Sequence, residues 1–204
     1  MNPPNEVSTP WPGFEPSSEP PERWEVDPTV SVLSFTLRHL IVSEIRGQFY
    51  RWGGTLFLDR LQPAHSSVEV WVDLDSIDTG APERDAHVRS AEFLDVAQFP
   101  RAVFKSTSVE LSDEQIVVHG LLHLHGVVHD VDITVKPGAT TTDGYGVPRG
   151  RYTVRGNIDR QSFSLHWNQD LDVGGVVVGD QVEIMANVEL IKRPDSGAPG
   201  KDRR

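Results

Sequence analysis

Apolar and polar residues alternate in short runs along most of the chain, which is the period-two pattern of strands that bury one face. The clearest run, at 68–74, puts Val68, Val70, Val72 and Leu74 on one face and its acidic residues on the other. Similar runs lie at 30–38, 44–50, 54–59, 102–111, 115–124, 128–135, 151–158 and 181–191. The pattern therefore predicts eight or nine strands.

Short connectors are predicted at 51–54 and 112–114 and at Gly126 and Gly138, and such links favour antiparallel neighbours. Only 81–99 lacks alternation, and its proline suits a helix start, so one or two short helices are predicted there. With no helical layer to cover it, the sheet must pack on a second sheet or close into a barrel. Alternation alone does not choose between these two folds.

Both ends of the chain are polar, and the first 22 residues are rich in proline. Such composition predicts disordered tails at 1–22 and 193–204, which leaves one domain at 23–192. Residues 1–21 show no basic segment followed by an apolar one, so a cytoplasmic location is expected.

Charge and composition narrow the function classes. The formal net charge of -11 would repel a phosphate backbone, so no nucleic-acid partner is expected, while transient membrane contact remains compatible with it. The chain has no cysteine, which excludes disulfides, thiolate metal sites and a cysteine nucleophile. No serine elbow, His-Glu-x-x-His motif or phosphate loop is present, so neither an enzyme nor a cofactor is predicted.

Several short motifs, in their order and spacing, resemble the YceI-like family over about 24–192. They are Phe35-Thr36-Leu37-Arg38-His39, Arg46-Gly47-Gln48-Phe49, Gly54-Thr55-Leu56-Phe57-Leu58-Asp59, Ser76-Ile77-Asp78-Thr79-Gly80, Arg84-Asp85-Ala86-His87-Val88-Arg89-Ser90, Ile158-Asp159-Arg160 and Val178-Gly179-Asp180-Gln181-Val182.

The resemblance implies an all-β fold, an extended eight- to nine-stranded antiparallel barrel of the lipocalin-like kind. It also implies an elongated apolar cavity that holds the isoprenoid tail of a quinone or prenyl lipid, and by analogy it makes a homodimer plausible. Several members of the family are periplasmic. This chain differs in having Ser164 where the family often has glycine, and His129 where a small polar residue is common.

A hydrocarbon tail has no hydrogen-bonding groups, so its carrier needs a long apolar bore with a few polar groups at one end. The inward strand faces supply the predicted lining: Phe35, Leu37, His39, Phe49, Leu56, Leu58, Val70, Val72, Phe104, Leu122, Leu124, Ile133 and Phe163. The alternative is a solid core filled by these side chains. For His39, a core histidine paired with a carboxylate or carbonyl is an equal alternative.

Polar residues at the start of the predicted helix are candidates for a head-group contact or a lid, with an ion-paired helix start as the alternative: Arg84, Asp85, His87 and Arg89. Ser43 is a further candidate, with the same two interpretations as His39.

Four histidines follow closely in the second half of the chain. His119, His123 and His125 are predicted on one strand face, with His129 folded back toward them. Imidazoles in such a cluster can bind zinc, but residues two apart on a strand lie nearly 7 Å apart, so an exposed histidine face without metal is the favoured interpretation.

The leading hypothesis is a transport or storage protein for a polyisoprenoid lipid. The alternatives are a metal-dependent barrel enzyme that uses the histidine face, or a stress-related interaction protein with no lipid ligand. If each isoprene unit contributes about 1.5 kcal/mol net, micromolar binding requires about five or six buried units.

Overall fold

The computed structural model describes residues 20–39, 43–112, 115–168 and 178–194. Most of both predicted tails lies outside these ranges, and the sheet begins at Glu22. The strands are β1 (Glu22–Val26), β2 (Val32–His39), β3 (Ser43–Phe49), β4 (Trp52–Leu58), β5 (Ser67–Asp73), β6 (Ile77–Asp78), β7 (Arg101–Leu111), β8 (Ile116–Leu124), β9 (Val127–Thr142), β10 (Pro148–Asp159) and β11 (Val178–Lys192). Within these ranges, one α-helix, α1 (Pro82–Arg89), and three short 3₁₀ turns join them.

The strands form a closed antiparallel barrel. The ring runs β1, β4, β5, β7, β8, β9, β10, β11 and returns to β1, because β1 pairs with both β4 and β11. β2, β3 and β6 continue this ring toward one end, where β2 takes over the pairing with β11. The predicted antiparallel barrel of eight or nine strands is therefore confirmed, with eight strands in the closed ring, and closure leaves no long free edge in that ring.

Alternation explains how each strand is oriented. In β5 the side chains of Val68, Val70 and Val72 point inward, while Glu69 and Trp71 point outward. Trp71 is covered on the outside by Arg101, whose guanidinium carbon lies 5.0 Å from the ring centroid. The inner faces together form an apolar interior that runs the length of the barrel.

Two connectors predicted from glycine residues lie within strands, and two short strands were not predicted. Residues 52–54 belong to β4, and Gly138 lies inside β9, which continues past Pro137 to Thr142. The short strands β1 and β6 were not predicted. The Gly126 turn is present, with a positive φ of 75°.

The 81–99 connection contains one helix, which agrees with the prediction. It ends at Arg89. The amide of the following Ser90 donates to the carbonyl oxygen of His87, and the chain then continues in turns to β7. Within the described ranges, no helix is long and apolar enough to cross a bilayer.

The barrel has two ends that differ in structure. At the α1 end, β8 ends at Leu124, β11 begins at Val178, and α1 lies across the barrel. At the opposite end, β7 ends at Leu111 and β8 begins at Ile116.

Candidate ligand-binding cavity

The barrel encloses a cavity of about 520 Å³. Ligand pockets commonly measure about 300–1,000 Å³, so this interior has room for a ligand and is not a fully packed core. The cavity extends from Arg84 and His87 at the α1 end to Leu111 and Ile116 at the opposite end. It is therefore an elongated bore.

Eleven of the thirteen predicted lining residues line this cavity: Phe35, Leu37, Phe49, Leu56, Leu58, Val70, Val72, Phe104, Leu122, Leu124 and Ile133. They come from seven strands, so the wall is assembled by the barrel as a whole. Sequence reasoning missed Trp52 and Ala186, which also line the cavity. Their signal was weak, because Trp52 follows a turn and alanine is a poor marker of a strand interior.

Two predicted lining residues are placed differently. Phe163 is 1% exposed but lies outside the cavity wall, because the 3₁₀ turn Arg160–Phe163 packs its ring edge-on against His129, with centroids 5.3 Å apart. The backbone of His39 ends β2, and its side chain lies outside the described part of the chain.

Arg84, at the α1 end, reaches the cavity wall while bonded to Thr79. Its Nε donates to Thr79 Oγ1 at 2.8 Å and its Nη2 to the Thr79 carbonyl oxygen at 2.9 Å. The Thr79 hydroxyl and amide in turn donate to Asp85 Oδ1, at 2.5 and 3.0 Å. Asp85 is buried and does not line the cavity, so it positions Thr79 and does not meet a ligand.

His87 also lines the cavity, one helical turn after Arg84. Its ring lies edge-on to Trp167, with centroids 4.6 Å apart. Its Nε2 atom is buried and lies 3.1 Å from Glu92 Oε2, but the two atoms do not form a hydrogen bond. Trp167 is a lining residue that no sequence pattern indicated.

Arg89 and Ser43 were also predicted as head-group or lid residues. Arg89 points away from the cavity and donates to the carbonyl oxygens of Asp75 and Ile77, which holds α1 to β6. Ser43 is exposed where β3 begins and is absent from the cavity wall.

Arg160 closes the α1 end from the other side. This side chain is 2% exposed, and its guanidinium donates to the carbonyl oxygens of Leu165, Trp167, Val178 and Gly179. It also forms an ion pair with Asp180 at 3.1 Å. Burial lowers the pKa of Arg160, and Asp180 opposes that effect. Arg160 therefore fixes the segment that carries Trp167.

The opposite end combines an opening with a polar cluster. Leu111 lines the cavity and is also 51% exposed, so the bore reaches solvent beside it. On the other side Glu22 accepts hydrogen bonds from Arg60, Lys192 and Trp24, which outweigh its burial and lower its pKa to about 2. This cluster ties β1 to β11 where the barrel closes.

The four histidines do not form one face. His119 bonds to Asp132 at 2.7 Å on the outer surface, and His125 lies in the turn after β8 with a φ of 51°. His129 pairs directly with Leu122, which lines the cavity, so its side chain lies on the inner side. Among the described residues, no group of three or more metal-ligating side chains is placed to hold an ion.

Known proteins share both the sequence and the architecture. The YceI-like domain model matches residues 24–190. Protein YceI of Salmonella newport is 34% identical over 161 residues, which cover 79% of this chain and 81% of that protein.

Two solved structures extend the comparison. Burkholderia cenocepacia BcnA is 20% identical with a TM-score of 0.70 and covers 80% of this chain and 98% of its own. A polyisoprenoid binding domain from Saccharophagus degradans, implicated in plant cell wall breakdown, is 19% identical with a TM-score of 0.55 and covers 84% and 98%. The extent of the domain match and the 34% identity show that the chain belongs to the YceI-like family.

Proposed function

We propose that this protein binds a polyisoprenoid lipid in its barrel and carries or stores it without chemical turnover. The observation that carries the proposal is the elongated apolar cavity of about 520 Å³ inside a closed barrel. A related fold in Saccharophagus degradans is described as a polyisoprenoid binding domain, which agrees with this choice of ligand.

The shape of the cavity favours a slender, linear ligand over a compact one. Its wall follows the inner faces of the strands from α1 to Leu111, and most of the side chains along it are aliphatic or aromatic. A branched hydrocarbon chain needs this kind of wall, because it offers no group that could satisfy a buried donor or acceptor.

Polar groups at the α1 end suit a head group. Arg84, His87 and Thr79 line that end, next to the indole of Trp167. The tail would extend away from them toward Leu111, where the cavity reaches solvent. A tail longer than the barrel could therefore protrude at the opposite end.

Intrinsic fluorescence tests the proposal, because Trp52 and Trp167 both line the cavity. A long-chain isoprenoid quinone should quench this emission saturably, whereas the same quinone ring without a tail should not. Trp71 lies on the outer surface under Arg101, so Trp71→Phe is the matched control: it should lower the total emission but leave the amount of emission lost on binding unchanged. Absence of saturable quenching by long-chain quinones, together with no binding of a long-chain prenol or prenyl phosphate in native mass spectrometry, would refute the proposal.

A further inference from the structure

Charge is distributed unevenly between the cavity wall and the rest of the molecule. Among the residues that the structure describes, the lining includes Arg84, His87 and Arg160 and contains no aspartate, glutamate or lysine. The chain as a whole carries a formal net charge of -11. All three of these basic side chains lie at the α1 end, so one end of an apolar bore is cationic in a strongly acidic protein.

Arg160 is not available to a ligand. The side chain is 2% exposed, and its guanidinium nitrogens are bonded to four carbonyl oxygens and to Asp180. Its role at this end is to hold the chain around Trp167 in place. Any ligand contact by an arginine must therefore come from Arg84.

Arg84 keeps unused donors beside the cavity. Arginine has five N–H groups, and two of them are bonded to Thr79. His87 and Arg89 of the same helix each lie within ion-pair distance of a carboxylate, Glu92 and Asp75 respectively, whereas none of the described carboxylates forms an ion pair with Arg84. Asp85 meets it only through the shared Thr79 hydroxyl.

The surroundings of Arg84 restrict water without excluding it. Arg84 itself is partly buried, and His87 and Trp167 line the same end of the cavity. A positive charge at the boundary between an apolar bore and solvent binds an anion more strongly than the same charge on an open surface, because less water competes for it.

We propose that the ligand has an anionic head group, a phosphate or a carboxylate, which Arg84 binds at the α1 end beside His87. This inference rests on the proposed function and adds the chemical class of the lipid: an acidic isoprenoid. The guanidinium fork matches either anion through parallel N–H bonds, and Thr79 holds that fork toward the cavity. The isoprenoid tail lies along the bore toward Leu111.

A neutral head group would make poorer use of the same side chain. A quinone carbonyl or an alcohol accepts a hydrogen bond from Arg84 but leaves its charge uncompensated. An anion adds to the hydrogen bond an attraction between two opposite charges at a partly buried site, so we expect a preference for the anion of about tenfold or more.

Competition between lipids of one tail length measures this preference. The protein is equilibrated with hexaprenol and hexaprenyl phosphate together, and native mass spectrometry gives the ratio of the two bound forms. A parallel mixture replaces the phosphate with the carboxylic acid of the same tail, which separates a site specific for phosphate from one that accepts any anion. The two lipids of each mixture differ in how strongly they form micelles, and therefore in their free concentrations. This difference is the same for every variant, so it cancels when each ratio is compared between variants.

The decisive variant is Arg84→Gln. We expect it to lower the ratio of anionic to neutral lipid about tenfold or more, while hexaprenol still binds. The matched control is Arg46→Gln, which removes the same charge from the outer face of β3, where the Arg46 side chain is 79% exposed and pairs with Glu44. This control should leave the ratio unchanged, because Arg46 does not line the cavity.

A second measurement keeps the test valid if Arg84→Gln fails to fold. In the unaltered protein, raising the ionic strength about tenfold should reduce the preference for the anion but leave hexaprenol binding intact. An equal ratio in the wild type and in Arg84→Gln, or a ratio insensitive to salt, overturns the anionic assignment and leaves the proposed function standing. Failure of all these lipids to bind overturns the proposed function itself.

Discussion

The ring of Phe35 lies directly over Gly47, its cross-strand partner, so that a Cβ atom at position 47 would come within 2.5 Å of the Phe35 Cζ atom. Phe35 is also part of the cavity wall. A glycine is needed at this position because the ring occupies the space that a side chain would take. The shape of the bore therefore depends on a residue that contributes no side chain to it.

Gly47→Ala should destabilise the barrel by about 1–3 kcal/mol, since the added methyl group meets both this ring and the Asp78 carbonyl oxygen. The ring would be pushed into the cavity, so lipid binding should weaken as well. Chemical denaturation measures the first effect. Gly144→Ala is the control, because nothing lies within 4 Å of its added carbon, and equal losses in both variants would contradict this explanation.

The sequence predicted the barrel well where alternation was regular. Val68, Val70 and Val72 were placed on one inward face because β5 has no irregularity, and the structure agrees. β9 extends seven residues beyond its predicted end, since Pro137 and Gly138 are tolerated next to the bulge in its pairing with β10.

The cavity wall was predictable, whereas the α1 end was not. Side chains alternate between the two faces of a strand, so the residues that line the wall can be assigned from their neighbours in the sequence. Trp167 meets His87 across 80 positions of sequence, and Thr79 positions Arg84 from outside the helix, so no local pattern could reveal either contact. His129 was misplaced because the turn at His125 and Gly126 sets the register that turns it inward.

Ser164 occupies a backbone position that favours glycine. Its φ is 59°, in the left-handed region that glycine adopts without strain. Its amide donates to the carbonyl oxygen of Gln161, which helps to retain the turn that holds Arg160.

Arg149 holds two buried carboxylates near the bend between β1 and β2. Its Nη1 donates to Asp27 at 2.9 Å and to Glu189 at 2.8 Å, and each of these acids is only 9% exposed. Arg149→Met leaves both acids without this partner and should destabilise the fold at neutral pH. Arg155→Met, which loses an exposed contact of 4.0 Å with Glu183, is the control and should cost far less.

The penalty of Arg149→Met should shrink in acid. Hydrogen bonds from Thr29 and Arg149 lower the pKa of Asp27, and those from Arg151 and Arg149 lower the pKa of Glu189. A carboxyl group whose pKa is lowered by folding stabilises the fold at pH values above its pKa in the unfolded chain. This contribution disappears as the pH falls through its pKa in the folded protein. Denaturation at pH 7 and near pH 3 measures this, and a penalty independent of pH would contradict it.

His119 links three strands on the outer surface. It bonds to Asp132 of β9 and lies 3.4 Å from Glu110 of β7, and these interactions, the bond to Asp132 foremost, raise its pKa. A histidine whose pKa is raised by folding stabilises the fold fully at pH values below its pKa in the unfolded chain, which is about 6.5. This contribution is lost as the pH rises through its pKa in the folded protein.

His119→Gln should remove that fall in stability above about pH 6.5, as thermal melts across a pH series would show. Asp132→Asn removes the main cause of the raised pKa and should flatten the same part of the profile. If the unaltered protein and both variants had parallel stability profiles, His119 would not be the group responsible.

The central claim is that the bore itself shelters the lipid tail, and filling the bore tests it most directly. Ala186 is 5% exposed and lines the cavity, while the neighbouring Asn187 is exposed on the outer face. Native mass spectrometry after incubation with a long-chain polyprenol should show one bound lipid in the unaltered protein and in Asn187→Phe, and little or none in folded Ala186→Phe. Equal lipid occupancy in Ala186→Phe and the unaltered protein, or no occupancy in any of them, would contradict the account.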